Sequence, residues 1–206
     1  MSFISARFAL PVAAAFALAL SIAPAPAPAQ DTAVQDVLGA DVDFGPAIGE
    51  SFDFGTLSDQ TGAGRDLSSI AGENGLVLMF VRSADWCPFC QAQMIEINGS
   101  LAEIESRGYG MATISYDSTD ILSRFTAREG IGYTMLSDEG SMIINKYGLR
   151  ETNYEEGHRA YGVPKPVVFI LSADGVIEGK LFEENFRERP PATAVIEALD
   201  GVNSGA

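Results

Sequence analysis

Residues 76–81 are six consecutive apolar positions (LVLMFV), followed at once by Arg82-Ser83-Ala84-Asp85. So short and unbroken a run fits a strand buried on both faces, in the interior of a parallel sheet. Beyond it the period changes. Cys90, Met94, Ile97, Leu101 and Ile104 recur at alternating spacings of four and three, which is one face of a helix. Asn98-Gly99 interrupts that helix and is expected to weaken or bend it, and Gly108 ends it. Residues 111–116 read as a second strand. Residues 119–128, carrying Ile121, Leu122 and Phe125 after a cap at Ser118 or Asp117, read as a helix ended by Gly130. A short strand over 133–136 and a helix over 141–147, closed by Gly148, continue the alternation. Residues 167–171 form a strand, Asp174-Gly175 a hairpin turn, and 176–182 its antiparallel return. A closing helix spans 191–199. Strand–helix–strand–helix order implies parallel pairing with right-handed crossovers, so the expected class is α/β, a central mixed β-sheet flanked by helices.

The ends of the chain differ from this middle. Arg7 followed by the apolar stretch 8–22 and by Ala27-Pro28-Ala29 has the three parts of a secretory signal peptide over residues 1–29. The apolar core is short for a membrane span. Export, with the bacterial periplasm as destination, is therefore expected, and an uncleaved N-terminal tether is the alternative. Residues 30–42 read as a flexible lead-in and 43–200 as one domain. Within it, 43–56 form an N-terminal extension with a short hairpin. Residues 58–74 form a polar, glycine-rich connection with one helical turn near 66–70. Residues 201–206 read as a loose tail. The net charge is −15, and −16 once Arg7 is removed with the leader, which argues against nucleic acid or an anionic membrane as partner.

The candidate chemistry lies where the central strand hands over to the first long helix, in Trp86-Cys87-Pro88-Phe89-Cys90, which holds the only two cysteines. With Cys87 as N-cap, Pro88 takes the first helical position, where its missing N–H costs nothing. The amides of Phe89 and Cys90 then face the Cys87 sulfur, and the helix dipole favours its thiolate. Such settings lower a cysteine pKa from about 8.5 to roughly 3.5–7.5. Cys87 is thus the expected attacking thiolate at an exposed tip, and Cys90, on the buried stripe one turn on, the resolving thiol. Zinc is disfavoured, because two thiolates and a distant His158 leave a tetrahedral shell short. A purely structural disulfide is disfavoured because so short a loop removes little chain entropy. No metal or cofactor is called for. Arg82 favours the thiolate if it faces the sulfur, and Asp85 opposes it. Trp86 flanks the site, as substrate contact or as routine packing. His158, between Glu155, Glu156 and Arg159, reads as a solvated loop residue rather than a base.

The stretch resembles the thioredoxin superfamily, and within it the peroxiredoxin-like branch, the alkyl hydroperoxide reductase/thiol-specific antioxidant type. Residues 44–199 share the likeness, with Trp86-Cys87-Pro88-Phe89-Cys90 its best motif and Pro46, Gly49 and Phe52 matching the family's Pro-x-x-Gly-x-x-Phe start. The resemblance implies a thioredoxin-like fold and, at Pro166, a cis proline beside the active-site disulfide. It also exposes departures. The peroxidases carry Pro-x-x-x-Thr-x-x-Cys, and here Phe80 and Ala84 occupy the proline and threonine positions. An arginine they use near the later strand is replaced by Pro166. These departures favour dithiol–disulfide exchange with protein or small-molecule disulfides and an external redox partner. A hydroperoxide reductase using the same pair, and a non-enzymatic binding module, are the alternatives.

Overall fold

The computed structural model describes residues 44–183, 185 and 187–205, so the signal peptide and lead-in expected over 1–42 lie outside the described residues. Seven strands form one mixed sheet in the order β2-β1-β5-β4-β3-β6-β7. They are β1 (Leu57–Asp59), β2 (Gly64–Arg65), β3 (Gly75–Phe80), β4 (Tyr109–Ser115), β5 (Thr134–Ser137), β6 (Val167–Ser172) and β7 (Ile177–Leu181). The helices are α1 (Leu67–Ile70), α2 (Pro88–Gly99), α3 (Leu101–Ser106), α4 (Thr119–Glu129), α5 (Met142–Lys146) and α6 (Ala192–Ser204). As expected, β3 pairs in parallel with β4, and β4 with β5. The hairpin partner β6 pairs antiparallel with β3, which makes the sheet mixed.

Each residue of β3 is buried, as its unbroken apolar run requires. Alternate side chains feed two cores. Val77, Met79 and Val81 meet Met94, Ile97, Ile104, Phe125 and Val195 on the face covered by α2, α3, α4 and α6. Leu76, Leu78 and Phe80 meet Phe52, Phe54, Ile143, Ile144 and Leu149 on the other. The interruption at Asn98-Gly99 is a full break, with Ser100 separating α2 from α3. There the Asn98 side chain accepts from the Gly132 amide at 2.8 Å and donates to the Gly130 carbonyl at 3.2 Å. Gly130 ends α4 in the left-handed region (φ 65°), a conformation that a side chain penalises.

Three expectations need correction here. The early hairpin lies at β1–β2, whereas residues 49–52 run beside the β6–β7 turn, with Phe52 N–H donating to Gly175 O at 2.7 Å. Glycine and phenylalanine spacing did not distinguish a strand pair from a segment pairing with a remote turn. The tail is helical to Ser204, because Val202 packs against the core beside Leu199 and so extends the apolar stripe of α6. Finally, no cis peptide occurs among the described residues, so the bond before Pro166 is trans. The chain there is extended and paired, with Glu151 N–H to Val163 O at 2.9 Å and Lys165 N–H to Leu149 O at 2.7 Å. It enters β6 without a tight turn.

Candidate active site

Parallel strands β3 and β4 end at the same edge, the side on which open α/β sheets carry their sites. From there residues 81–86 lead to Cys87, which is the N-cap of α2 with Pro88 at the first helical position. Its Sγ accepts the Cys90 N–H at 3.3 Å, so of the two amides expected to face the sulfur, that of Cys90 makes the contact. The two cysteines form a disulfide across the first turn, with Cα atoms 5.2 Å apart. Cys90 is fully buried, as its place on the apolar stripe requires. Cys87 is only 4% exposed, a correction to the exposed tip read from the sequence. Bridged to Cys90, it packs with Ala84, Met79 and Val81 in the core, while Pro88 and Phe89 hold the outer surface.

The turn before Cys87 is organised by a residue that sequence reasoning treated only as a possible helix cap. Asp117, 3% exposed, lies two residues past the end of β4, and its carboxylate reaches across to the turn after β3. It accepts the Ala84 N–H at 2.7 Å, the Ser83 hydroxyl at 2.8 Å and the Ser115 hydroxyl at 2.9 Å. Ser83 Oγ in turn accepts the Asp85 N–H at 3.0 Å. Burial pushes the Asp117 carboxyl above its usual range against these hydrogen bonds, and the nearby Asp85 charge adds to the rise. An acid just past the strand next to the cysteine-bearing strand was the signal, readable once parallel pairing is assumed.

Arg82 is buried and lies against two rings, Trp86 at 5.5 Å and Tyr154 at 5.2 Å, and it donates to the Tyr154 hydroxyl. Arg159 also covers Trp86, at 5.0 Å. The indole N–H donates to Tyr116 Oη at 2.8 Å, and that hydroxyl donates to the Arg159 carbonyl at 2.7 Å. These contacts fold the loop of residues 149–165 onto the redox motif. His158 is exposed and stacks on Tyr154, which agrees with its reading as a loop residue. An open cleft of about 410 Å³ lies beside Trp86, bounded by Asp85, Tyr116, Glu139 and Arg159. Asp85 is exposed, its carbonyl accepting from Gln91 Nε2 at 3.0 Å. Pro166 is half-buried at the start of β6.

A second residue missed in the sequence is Arg189, in the segment before α6. Its guanidinium reaches Cys90, with Nη2 3.6 Å from Sγ. Burial and the neighbouring Arg82 charge push its pKa down to about 10, so it stays cationic at neutral pH. Nothing in Arg187-Glu188-Arg189-Pro190 marks which residue turns inward; long-range packing decides it. The site therefore joins a helix-capped sulfur and a cation-facing sulfur in one bond, an arrangement suited to reversible oxidation.

The chain is 28% identical over 123 residues to peroxiredoxin Bcp of Escherichia coli (strain K12), covering 60% of this chain and 77% of that one. To chloroplastic peroxiredoxin Q of Sedum lineare it is 26% identical over 123 residues, covering 60% and 62%. Among solved structures, peroxidoxin BcpB from Mycobacterium tuberculosis superposes with a TM-score of 0.61 at 22% identity, covering 76% of this chain and 96% of that one. Peroxiredoxin Q from Xanthomonas campestris gives 0.60 at 24%, covering 71% and 89%. These likenesses show the thioredoxin-like fold expected from the sequence. The profile of the AhpC/TSA family matches residues 48–180, most of the described chain, and the protein belongs to that family.

Proposed function

We propose that the protein is a thiol-dependent peroxidase whose redox cycle is confined to the first turn of α2. The Cys87 thiolate attacks the terminal oxygen of a hydroperoxide. An S–O bond forms, the O–O bond breaks, and the alkoxide leaves with a proton as alcohol or water. The Cys90 thiolate then attacks the Cys87 sulfenic acid, expels hydroxide, and leaves the Cys87–Cys90 bridge. An external dithiol reduces that bridge, so one hydroperoxide and one dithiol give alcohol, water and one disulfide. The observation that carries this reading is the bridge itself, between an N-cap sulfur and its neighbour one turn on, in a chain of the AhpC/TSA family. The matched relatives named peroxiredoxin support it. Because both cysteines share an intact turn, resolution requires no unfolding of α2.

A second reading has its own support. Phe80 and Ala84 are buried apolar residues where the peroxidases place proline and threonine, so the hydroxyl they use is missing here. That favours dithiol–disulfide exchange, with Cys87 attacking a partner disulfide. Both readings place the activity outside the cytoplasm, through the leader sequence over residues 1–29, and fractionation of a full-length reporter fusion tests that.

Hydroperoxide consumption in the presence of dithiothreitol decides between them. Stoichiometric consumption well above the background of a free thiol is expected, abolished in Cys87→Ser. With dithiothreitol left out, Cys90→Ser should stop after one turnover with a sulfenic acid at position 87 that dimedone traps. Consumption no faster than in Cys87→Ser, together with rapid reduction of a small-molecule disulfide, would replace the peroxidase reading by exchange.

A further inference from the structure

We infer that Arg189 is a catalytic residue of the reductive half-cycle, stabilising Cys90 as the leaving thiolate and so directing the incoming reductant to Cys87. This rests on Cys87–Cys90 cycling, and not on which oxidant forms the bridge.

The segment carrying Arg189 is fastened along one row of α2. Gln93, one turn beyond Cys90, donates from Nε2 to Pro190 O at 3.1 Å. Glu96, a further turn on, accepts the Ala192 N–H at 2.9 Å. Residues 90, 93 and 96 are spaced by three and share one side of the helix. The two anchors therefore hold residues 190–192 against α2 and place the Arg189 guanidinium over the first member of the row, 3.6 Å from Cys90 Sγ. Arg189 Nη1 donates to the Glu188 carbonyl at 2.6 Å, which fixes the fork further. Arg82 lies close enough for its charge to act on Arg189.

Reduction of the bridge breaks one S–S bond and must discharge a thiolate. If the donor sulfur attacks Cys87, a bond forms between it and Cys87 Sγ. The Cys87–Cys90 bond breaks, and its electron pair leaves on Cys90 Sγ. That thiolate is fully buried, where desolvation alone would raise its pKa and slow its departure. A guanidinium in contact lowers the cost, and a leaving thiol of lower pKa leaves faster. The second thiol of the donor then attacks the mixed disulfide, releasing the Cys87 thiolate and oxidised donor. Attack at Cys90 instead would bring the anion to the less exposed of two buried sulfurs, 0% against 4% for Cys87.

Two variants test this, Arg189→Met and Arg189→Lys. In a Cys87→Ser background, thiolate absorbance at 240 nm reads the Cys90 pKa directly. Arg189→Met should raise it by about one unit or more, as loss of a contacting opposite charge does. In the parent background it should slow reduction of the oxidised protein by dithiothreitol at pH 7 by about threefold or more. Arg189→Lys, which keeps the charge, should recover most of both effects. If Arg189→Met does not unfold cooperatively, Arg189→Gln carries the same readouts. A Cys90 pKa and a reduction rate both unchanged without the charge would overturn the inference. Neither readout uses a hydroperoxide, so failure of the peroxidase reading leaves the test intact.

Discussion

Replacing Asp117 by alanine removes the acceptor that holds the turn leading into Cys87. The Ala84 N–H, 2.7 Å from the carboxylate, is left buried without it. An unsatisfied buried donor costs about 1–3 kcal/mol. The Ser83 and Ser115 hydroxyls can turn elsewhere, so their loss is nearer about 0.5–1 kcal/mol each. Against this, a buried carboxylate whose pKa is raised is itself costly when ionised, and alanine removes that cost. The net loss is about 2–3 kcal/mol, or a fall in Tm of about 4–12 °C for a domain of this size. The sign with pH follows from the direction of the shift. Asp117 holds its proton more tightly folded than unfolded, so its ionisation penalty is present at neutral pH and disappears as pH falls through the folded pKa. The wild type should gain on the variant between pH 7 and about pH 4, the unfolded carboxyl's range. Urea unfolding at both pH values measures the gap. A variant within about 0.5 kcal/mol of wild type at pH 7, or a gap that narrows on acidification, refutes this reasoning.

Other positions give independent checks. Asp59 feels burial, which would raise its pKa, but hydrogen bonds from Thr61, Arg65 and Ala63 outweigh it and hold the carboxyl at about 2. Its folded pKa is depressed, so its contribution is present above about pH 4 and lost as pH falls towards 2. With Arg65 40% exposed, screening limits that contribution to about 1–2 kcal/mol. Asp59→Asn should narrow its deficit in urea midpoint between pH 6 and pH 2, and a constant deficit would contradict the assignment. Phe169, fully buried between Phe52 and Phe80 at ring distances of 5.7 and 6.0 Å, should cost about 3–5 kcal/mol as alanine in equilibrium unfolding. A loss below about 1 kcal/mol would mean that this face of the sheet is loosely packed.

The elements that local pattern specifies were legible in the sequence. The run over 76–81 announced a doubly buried strand, and the four-three spacing after Cys90 announced one helix weakened or bent at Asn98-Gly99, which the structure divides there into α2 and α3. The N-cap role of Cys87 followed from proline chemistry at position 88. What escaped depends on contacts between distant residues. Asp117 and Ala84 meet because two parallel strands end together, and Arg189 and Cys90 meet through anchors 97 and 96 residues apart in sequence. The trans bond before Pro166 reflects pairing of residues 163–165 with 149–151, which no local pattern signals. Arg82 was named as a tuning residue, but that it lies against Trp86 and Tyr154 could not be seen before the loop of residues 149–165 was placed.

Both redox readings depend on Cys87 being ionised at the mouth of α2 once the bridge is reduced. The thiol pKa of Cys87, followed by thiolate absorbance in reduced Cys90→Ser, measures this directly. A value below about 7.5 is expected from the N-cap position and the backbone N–H that faces the sulfur. A value at or above about 8.5, that of an ordinary free cysteine, would contradict it.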